Sequence, residues 1–427
     1  MKLEVQKSRL KGTVTIPASK SHTIRAVAVA SLAAGESRIH NPLDSSDAQA
    51  AVACYRALGA KIDTSDSSLW KVTGTGSRIS APEEVIDVGN SGTTLRIAMG
   101  SAALTEPDRK ITFTGDEQIQ TRPVGPLMNS LNDLGAKVIS LKNNGKAPVE
   151  IAGKLAGGRT TIAATTSQYV SSLLLCAPLA AGDTEIDVTL LNEPGYVQMT
   201  LDWLDKQQIE YENQQMRRFT IKGNQGYKPY EAAVPADFSS ATFFLCAAAL
   251  VAEEVTLLGL DFSDSQPDKA VVDYLKAMGA EIEIGTDSIR IKSSTLRGTE
   301  IDLNQTPDAL PAMAVTAAFA EGTTKLINVP QARSKETDRI KCMAEELRKM
   351  KVKVEELPDG LIIRHGQPMP AQLRGWADHR IVMALSLAGL VLDEPCVIDT
   401  AEAINVTFPG YVDLMKRIGA NMALTSA

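Results

Sequence analysis

Aromatic residues are scarce in this chain. They make up only 4% of it, although 44% of all residues are hydrophobic. The cores must therefore be built mainly from alanine, leucine, valine and isoleucine. A basic excess is also missing, because the formal net charge is −7, and this argues against a general nucleic-acid-binding protein. Any site for an anionic ligand must then be a local cluster of cations.

Cysteines are few and scattered. The five lie at Cys54, Cys176, Cys246, Cys342 and Cys396. Without CxxC spacing they favour neither a metal site nor a disulfide framework, and we expect buried free thiols in a reducing cytoplasm. The chain lacks a run of 18 apolar residues and a signal-peptide pattern, so we expect neither a membrane span nor a secretory leader.

A glycine-containing motif recurs along the 427 residues. Its clear copies are ALGAKI (57–62), DLGAKV (133–138), AMGAEI (277–282) and RIGANM (417–422), with weaker copies at 205–211 and 349–356. In each clear copy a helical segment ends, and glycine, which suits a left-handed helix C-cap, leads into a short β-like run. A spacing of about 70 residues indicates six repeats of one unit.

A second motif alternates with the first and begins an alanine- and leucine-rich helix. Its six copies are SKSHTIR (19–25), NSGTTLR (90–96), TSQYVSS (166–172), DFSSATF (237–243), PDALPAM (307–313) and DHRIVMA (378–384). The helices that follow are apolar on all sides, which is typical of helices buried on every face. Each repeat reads strand–helix–strand–helix–strand, which predicts an α/β fold of sheets packed with helices.

We therefore predict two α/β domains of three repeats each, with parallel core helices inside and sheets outside. One domain would comprise residues 1–18 and 233–427, and the other residues 19–232. Parallel core helices would bring their N-termini to the same end of each domain. If the two domains face each other, six helix N-termini point at one cleft, which favours an anionic ligand.

Cations at the helix starts are unexpected, because a helix N-terminus is itself partly positive. Lys20, Arg25, Arg96 and Arg380 occupy such early turns. Capping explains serine, threonine, aspartate or asparagine there, including Asn90, Thr166, Ser239 and Ser240, but it does not explain cations. The four cations need anionic partners, which are either protein carboxylates or a ligand.

Two further basic segments contribute candidates. In TRPVGPL, Arg122 precedes a proline and should lie in a rigid loop. In ARSKETDRI, Lys335 and Arg339 would share a face if this stretch were helical, and a salt-bridged helix face is the alternative to a binding site.

The acidic and histidine candidates are ambiguous. Asp237 and Asp308 fit either an N-cap or a general base. His22 and His379 could be catalytic, although a single histidine is more often structural.

Taken together, these motifs resemble the enolpyruvyl transferase family, and within it the branch that acts on shikimate 3-phosphate. The matching stretches are SKSHTIR, NSGTTLR, TRPVGPL, SQY, PADFSSA, PDALPA, SKETDRI, ADHRIVMA and TFPGY, in family order over nearly the whole chain. The resemblance implies two inside-out α/β domains with the active site in the cleft between them. It also implies transfer of the enolpyruvyl group from phosphoenolpyruvate to the 5-hydroxyl of shikimate 3-phosphate, with release of phosphate.

The resemblance further implies roles for individual residues. Asp308 would be the general base, and Glu336 with Lys20 would handle the proton on the methylene carbon. Phosphoenolpyruvate would be held by Lys20, Asn90, Gly92, Arg122, Arg339 and Arg380. Shikimate 3-phosphate would be held by Lys20, Ser21, Arg25, Thr166, Ser167, Gln168, Asp308 and Lys335. No cofactor, metal, nucleic-acid or membrane partner is implied, and we expect a cytoplasmic monomer.

The chain departs from the family pattern at several positions. Ala18 stands where the family usually has glycine, Thr166 where it has serine, and Ile97 where it has proline. The segment NEPGY puts Glu193 beside the position of a ligand-binding serine, where an acid would repel phosphate. Val406 replaces a lysine that contacts phosphoenolpyruvate, which removes one charge from the donor site.

These departures keep two alternatives open. One is a paralogous carboxyvinyl transferase with another hydroxyl acceptor, and the other is a metabolite-binding relative that has lost turnover. The family branch that acts on a UDP-sugar is disfavoured, because its loop carries a cysteine acid and DEQIQTRPVGPL has none.

Overall fold

The computed structural model describes residues 1–426, which divide into two compact units. The first comprises Met1–Pro17 and Pro235–Ala427, and the second comprises Ala18–Val234. The sequence-based boundaries were placed after residues 18 and 232, and the unit boundaries fall after 17 and 234. Over the described residues, the helices are all too short or too polar to cross a membrane.

The strands of the first unit form three four-stranded sheets. They are β1 (Lys2–Gln6), β2 (Leu10–Thr15), β15 (Ala252–Leu258), β16 (Glu281–Ile284), β17 (Ser288–Lys292), β18 (Glu300–Asp302), β19 (Thr323–Ile327), β20 (Lys353–Leu357), β21 (Gly360–Arg364), β22 (Gln372–Leu373), β23 (Cys396–Ile398) and β24 (Asn421–Thr425). The sheet orders are β22-β23-β1-β24, β16-β17-β15-β2 and β18-β19-β21-β20.

The second unit also contains three four-stranded sheets. Its strands are β3 (Glu36–His40), β4 (Lys61–Asp66), β5 (Leu69–Thr73), β6 (Ile86–Asp87), β7 (Lys110–Thr114), β8 (Lys137–Ser140), β9 (Val149–Ala152), β10 (Gly158–Ala164), β11 (Thr184–Leu191), β12 (Tyr211–Gln214), β13 (Arg218–Ile221) and β14 (Glu231–Ala233). The sheet orders are β10-β11-β13-β12, β14-β3-β5-β4 and β6-β7-β9-β8.

All six sheets share one pairing pattern, which confirms the repeat. In each sheet one edge strand is parallel to its neighbour, and the other two strand pairs are antiparallel, as in β10–β11, β11–β13 and β13–β12. In five sheets the antiparallel pair at the other edge is a β-hairpin, whereas in the sixth β24 pairs with β1 from the opposite end of the chain. This gives one strand more than the strand–helix–strand–helix–strand pattern expected from the sequence, because both strands of that pair join the sheet.

Core and surface helices alternate along the chain. They are α1 (Lys20–Leu32), α2 (Ser46–Ala57), α3 (Gly92–Ala102), α4 (Gly125–Asp133), α5 (Ser167–Cys176), α6 (Pro194–Lys206), α7 (Phe238–Val251), α8 (Ala270–Ala277), α9 (Leu310–Ala318), α10 (Arg339–Lys349), α11 (His379–Val391) and α12 (Tyr411–Arg417). The odd-numbered helices are buried almost throughout, as their apolar sequences predicted, and each unit has its own hydrophobic core.

The ends of the helices explain several sequence motifs. The motif glycines Gly59, Gly135, Gly279 and Gly419 all have φ between 97° and 108°, which is the left-handed region expected after a helix. The side chains that cap the core helices are those of Ser19, Ser91, Thr166, Asp237 and Asp378. Capping therefore explains Thr166 and Asp237, but the expectation that Asn90, Ser239 and Ser240 cap their helices is wrong.

Candidate active site

A buried arginine organises the charged cluster of the first unit. The Arg339 side chain is 1% exposed, and it begins α10 directly after the N-cap Asp338. Its Nε donates to Asp378 Oδ2 at 2.8 Å, its Nη1 to Asp308 Oδ1 at 2.7 Å, and its Nη2 to a Glu336 carboxylate oxygen. One guanidinium group thus connects three acidic side chains from three segments of the chain.

Asp308 lies in the 3₁₀ turn Pro307–Ala309 before α9, and its side chain is 19% exposed. Its sequence position fitted either an N-cap or a general base. Asp308 does not cap α9, so the N-cap prediction is wrong. Its Oδ2 also lies 3.2 Å from Arg380 Nη2. Burial by itself would raise the pKa of Asp308, but Arg380, Lys335 and Arg339 outweigh it and hold that pKa well below the ordinary value.

Asp378 links the cluster to α11. This fully buried carboxylate caps α11 by accepting from the backbone N–H of Arg380, and it also accepts from Arg339 Nε, from Arg339 Nη2 and from Thr337 Oγ1. Burial works to raise its pKa, but Arg339 holds that pKa below the ordinary value. The N-cap that starts α11 thereby also fixes the orientation of Arg339.

The segment before α10 is not the helix that would place Lys335 and Arg339 on one face. Pro330–Ser334 is a 3₁₀ turn and α10 begins at Arg339, so Lys335 does not share a helix face with Arg339. The reason is local, because Asp338 accepts from Lys341 N as the N-cap of α10 and also binds Arg333. The contact between Glu336 and Arg339 is nevertheless present.

His379 is buried next to this cluster. Burial lowers its pKa to about 3, so the imidazole is neutral in the folded protein near neutral pH. The unfolded chain takes up a proton below the ordinary pKa of about 6.5, whereas the folded protein does not. Stability should therefore be lost as the pH falls from about 6.5 towards 3.

Replacing His379 by glutamine should remove part of this pH dependence. We expect the free energy of unfolding of the wild type to fall by about 2 kcal/mol more than that of His379→Gln between pH 7 and pH 5. Denaturant titrations at the two pH values measure this difference. Equal slopes in the two proteins would contradict the assignment.

In the second unit, Lys20 and Arg25 both lie on α1 but have different partners. Lys20 Nζ lies 3.1 Å from Asp47 Oδ2, and the lysine side chain is 15% exposed. Arg25 is 2% exposed, and burial lowers its pKa to about 10. Its N–H groups donate to the backbone oxygens of Ser21 and Tyr196 and to side-chain hydroxyls on α5 and α6. Arg25 thus anchors α1 to α5 and α6.

A second group surrounds the start of α3. Asn90 donates to Asp116 and Gln118, and its Oδ1 accepts from Arg122 Nη2 at 3.5 Å. Gly92 is the first residue of α3. A Cβ atom there would lie 2.6 Å from Arg122 Nη1 and 2.7 Å from Arg96 Nη1, so glycine is needed for the two guanidinium groups to approach the backbone.

The start of α5 joins the start of α3. Gln168 Oε1 accepts from Arg96 Nη1 at 2.6 Å, and Gln168 Nε2 donates to Thr93 Oγ1 at 3.0 Å. Ser167 and Thr166 both donate to Glu193 of the NEPGY segment. The predicted convergence of helix starts is therefore observed for α3 and α5. In the first unit, Asp308 and Arg380 bring the starts of α9 and α11 together in the same way.

Sequence reasoning missed two acidic partners. Asp47 pairs with Lys20 and Asp378 pairs with Arg339, but both occupy helix-start positions where an acid also serves as a cap or favours the helix dipole. Their only signal was an acid in a first turn close to cations. The helix-start cations were expected to pair either with protein carboxylates or with a ligand. For Lys20 and Arg380, protein carboxylates are observed partners.

Comparison with solved structures first defines the class of protein. The EPSP synthase of Acinetobacter baumannii superposes with a TM-score of 0.82 at 26% identity, over 99% of this chain and 100% of that one. The enolpyruvyl transferase NikO from Streptomyces tendae shares the fold, with a TM-score of 0.79 at 19% identity over 100% and 99% of the two chains. The fold is therefore that of enolpyruvyl transferases.

Sequence comparison narrows this class to one family. The family model for EPSP synthase (3-phosphoshikimate 1-carboxyvinyltransferase) matches residues 5–415, and the chain belongs to this family. Proteins named 3-phosphoshikimate 1-carboxyvinyltransferase are 54% identical in Acetivibrio thermocellus, over 99% of both chains, and 51% identical in Ruminiclostridium cellulolyticum, over 99% of this chain and 100% of that one.

Proposed function

We propose that the protein transfers the enolpyruvyl group of phosphoenolpyruvate to the 5-hydroxyl of shikimate 3-phosphate and releases phosphate. The family match over residues 5–415 is the observation that carries this proposal. Both substrates are multiply anionic, which suits the buried arginines of the two units. The reaction belongs to the shikimate pathway, which leads to the aromatic amino acids.

In the proposed mechanism, Asp308 accepts the proton of the acceptor hydroxyl as that oxygen attacks the central carbon of phosphoenolpyruvate. Glu336 and Lys20 deliver a proton to the methylene carbon and later remove one, as phosphate leaves and the double bond re-forms. In support, Asp308 and Glu336 are both hydrogen-bonded to Arg339. Protonation and deprotonation of the substrate by positioned side chains are thereby available without a cofactor.

The substrate-binding residues are also proposals. We assign Lys20, Asn90, Gly92, Arg122, Arg339 and Arg380 to phosphoenolpyruvate. We assign Lys20, Ser21, Arg25, Thr166, Ser167, Gln168, Asp308 and Lys335 to shikimate 3-phosphate. The contacts of Asn90 and Gly92 with Arg122 support the donor site. Since Arg25 already donates to groups of α5 and α6, its contribution to the acceptor site should be to position them.

The protein should work as a cytoplasmic monomer without a nucleic-acid partner. The five free, buried cysteines fit a reducing compartment.

One assay tests the reaction. The purified protein is mixed with phosphoenolpyruvate and shikimate 3-phosphate, and phosphate release is measured with both substrates and with each alone. Release that needs both supports the proposal. Binding of phosphoenolpyruvate without release would favour a transferase with another acceptor, and failure to bind either would indicate a relative without this activity.

Replacing Gly92 by alanine should weaken donor binding. The new methyl group would push Arg122 and Arg96 from their observed positions, so we expect KM for phosphoenolpyruvate to rise about tenfold with a smaller change in kcat. Gly125→Ala is the matched control, since Gly125 also begins a helix but a Cβ atom there meets nothing closer than 4.0 Å. An equal rise in both variants would contradict the proposed crowding.

A further inference from the structure

The NEPGY segment places a buried carboxylate at the start of α5. Glu193 is 2% exposed, and it lies in the short connection between β11 and α6. Its φ of 59° is in the left-handed region, which residues other than glycine seldom adopt. A buried residue held in this conformation carries backbone strain and therefore needs contacts that stabilise it.

Those contacts are hydrogen bonds to the first residues of α5. Glu193 Oε2 lies 2.7 Å from Ser167 Oγ, 3.2 Å from the backbone N of Ser167 and 3.3 Å from Thr166 Oγ1. One carboxylate oxygen thus accepts from two hydroxyls and one backbone amide at a helix N-terminus. This set of donors is of the kind that recognises a phosphate group.

The same donors are assigned to shikimate 3-phosphate under the proposed function, on which the present inference rests. A hydroxyl or a backbone amide has a single hydrogen to donate, so carboxylate and phosphate cannot both hold this set. They also carry charge of the same sign, and juxtaposing like charges in a desolvated site is costly. Glu193 and an acceptor phosphate must therefore exclude each other at these donors.

We propose that Glu193 is an internal competitor of the acceptor phosphate. It occupies the donors of Thr166 and Ser167 in the free protein and gives them up when the acceptor binds. Holding the donors in place keeps the start of α5 ordered, and the competition lowers affinity for any phosphate that brings no other contacts. Glu193 is then a specificity-determining residue, which sets how strongly the enzyme prefers phosphorylated acceptors.

Calorimetric titrations of Glu193→Gln with shikimate 3-phosphate and with shikimate test this inference. The amide keeps the size of the side chain but removes its charge, so we expect affinity for shikimate 3-phosphate to rise about tenfold or more. Affinity for shikimate, which has no phosphate, should stay within about twofold. Glu212→Gln, at an exposed position on β12, removes the same charge from the same unit and should change neither affinity.

A second variant, together with thermal melts, distinguishes an effect on binding from a defect in folding. Glu193→Ser shortens the side chain to a small hydroxyl, and a thermal melt of each variant reports whether the unit folds. If Glu193 were only structural, both variants would melt lower and bind shikimate 3-phosphate as the wild type does or more weakly, and that result would overturn the inference. Lower melting together with tighter binding of shikimate 3-phosphate would support it.

Wild-type turnover, measured in parallel, separates this inference from the proposed function. Normal turnover with unchanged affinity in both Glu193 variants would overturn the inference alone. Absent turnover with tighter phosphate-dependent binding in the variants would overturn the function and support the inference. No binding of shikimate 3-phosphate by the wild type or any variant would overturn both.

Discussion

Asp308→Asn is expected to lower kcat by about a thousandfold, within the range typical for loss of a general acid or base. The amide is nearly the same size and can still accept a hydrogen bond from Arg339 Nη1, but it cannot take the hydroxyl proton. Affinity for phosphoenolpyruvate should be retained or increased, because the variant no longer offers a competing carboxylate to Arg339 and Arg380. Steady-state kinetics and a binding titration with phosphoenolpyruvate measure the two effects separately.

A lower kcat with retained affinity for phosphoenolpyruvate follows from the charges around Asp308. A carboxylate whose pKa is held low by three cations is ionised but is a weak base. When phosphoenolpyruvate binds Arg339 and Arg380, its own negative charges offset theirs, and the pKa of Asp308 should rise. Binding of the donor would then prepare the base for the acceptor.

Asp287→Asn is the matched control, because Asp287 is an exposed aspartate in the β16–β17 turn of the same unit. It should leave kcat and donor affinity unchanged. A fall in kcat of less than about tenfold for Asp308→Asn would remove Asp308 as the base and leave it as a partner of the two arginines.

The architecture could be predicted from the sequence because the same two motifs recur at a regular spacing along the chain. Four copies of a glycine motif with two weaker copies, and six apolar helices, leave little choice about what is buried, and the six sheets follow the same period. The starts of the core helices were located to within three residues for the same reason. Position along the period also singled out Lys20, Arg25, Arg96 and Arg380 as residues in need of anionic partners.

The partners themselves could not be predicted, because they depend on contacts between distant segments. Arg25 was expected to need an anion, yet its N–H groups donate to oxygens that lie about 150 to 175 residues away in the chain. Asp378 combines an N-cap with an ion pair, and a helix-start aspartate looks the same in the sequence with or without the second role. The NEPGY segment showed that Glu193 was unusual, but not that it would bind the start of α5.

Arg339→Gln should lower both stability and donor binding, because three buried or partly buried carboxylates lose a shared cation. Breaking such a buried ion pair typically costs about 3–5 kcal/mol. Arg333→Gln is the control, since Arg333 also binds two carboxylates but is 28% exposed, and it should cost no more than about 1 kcal/mol. Denaturant unfolding at pH 7 measures both losses, and phosphoenolpyruvate titration should show a defect only for Arg339→Gln.

The pH dependence of the Arg339→Gln defect gives a sharper test. In the wild type, Arg339 holds the pKa of Asp378 below its ordinary value, so this contribution is present above that value and is lost as the pH falls through the lowered pKa. In the variant the buried carboxylates should protonate at higher pH, which relieves the unpaired charge. The stability difference between wild type and variant should therefore be largest at pH 7 and shrink towards pH 4. A difference that stays constant over this range would mean that lost packing of the guanidinium, rather than unpaired carboxylate charge, causes the defect.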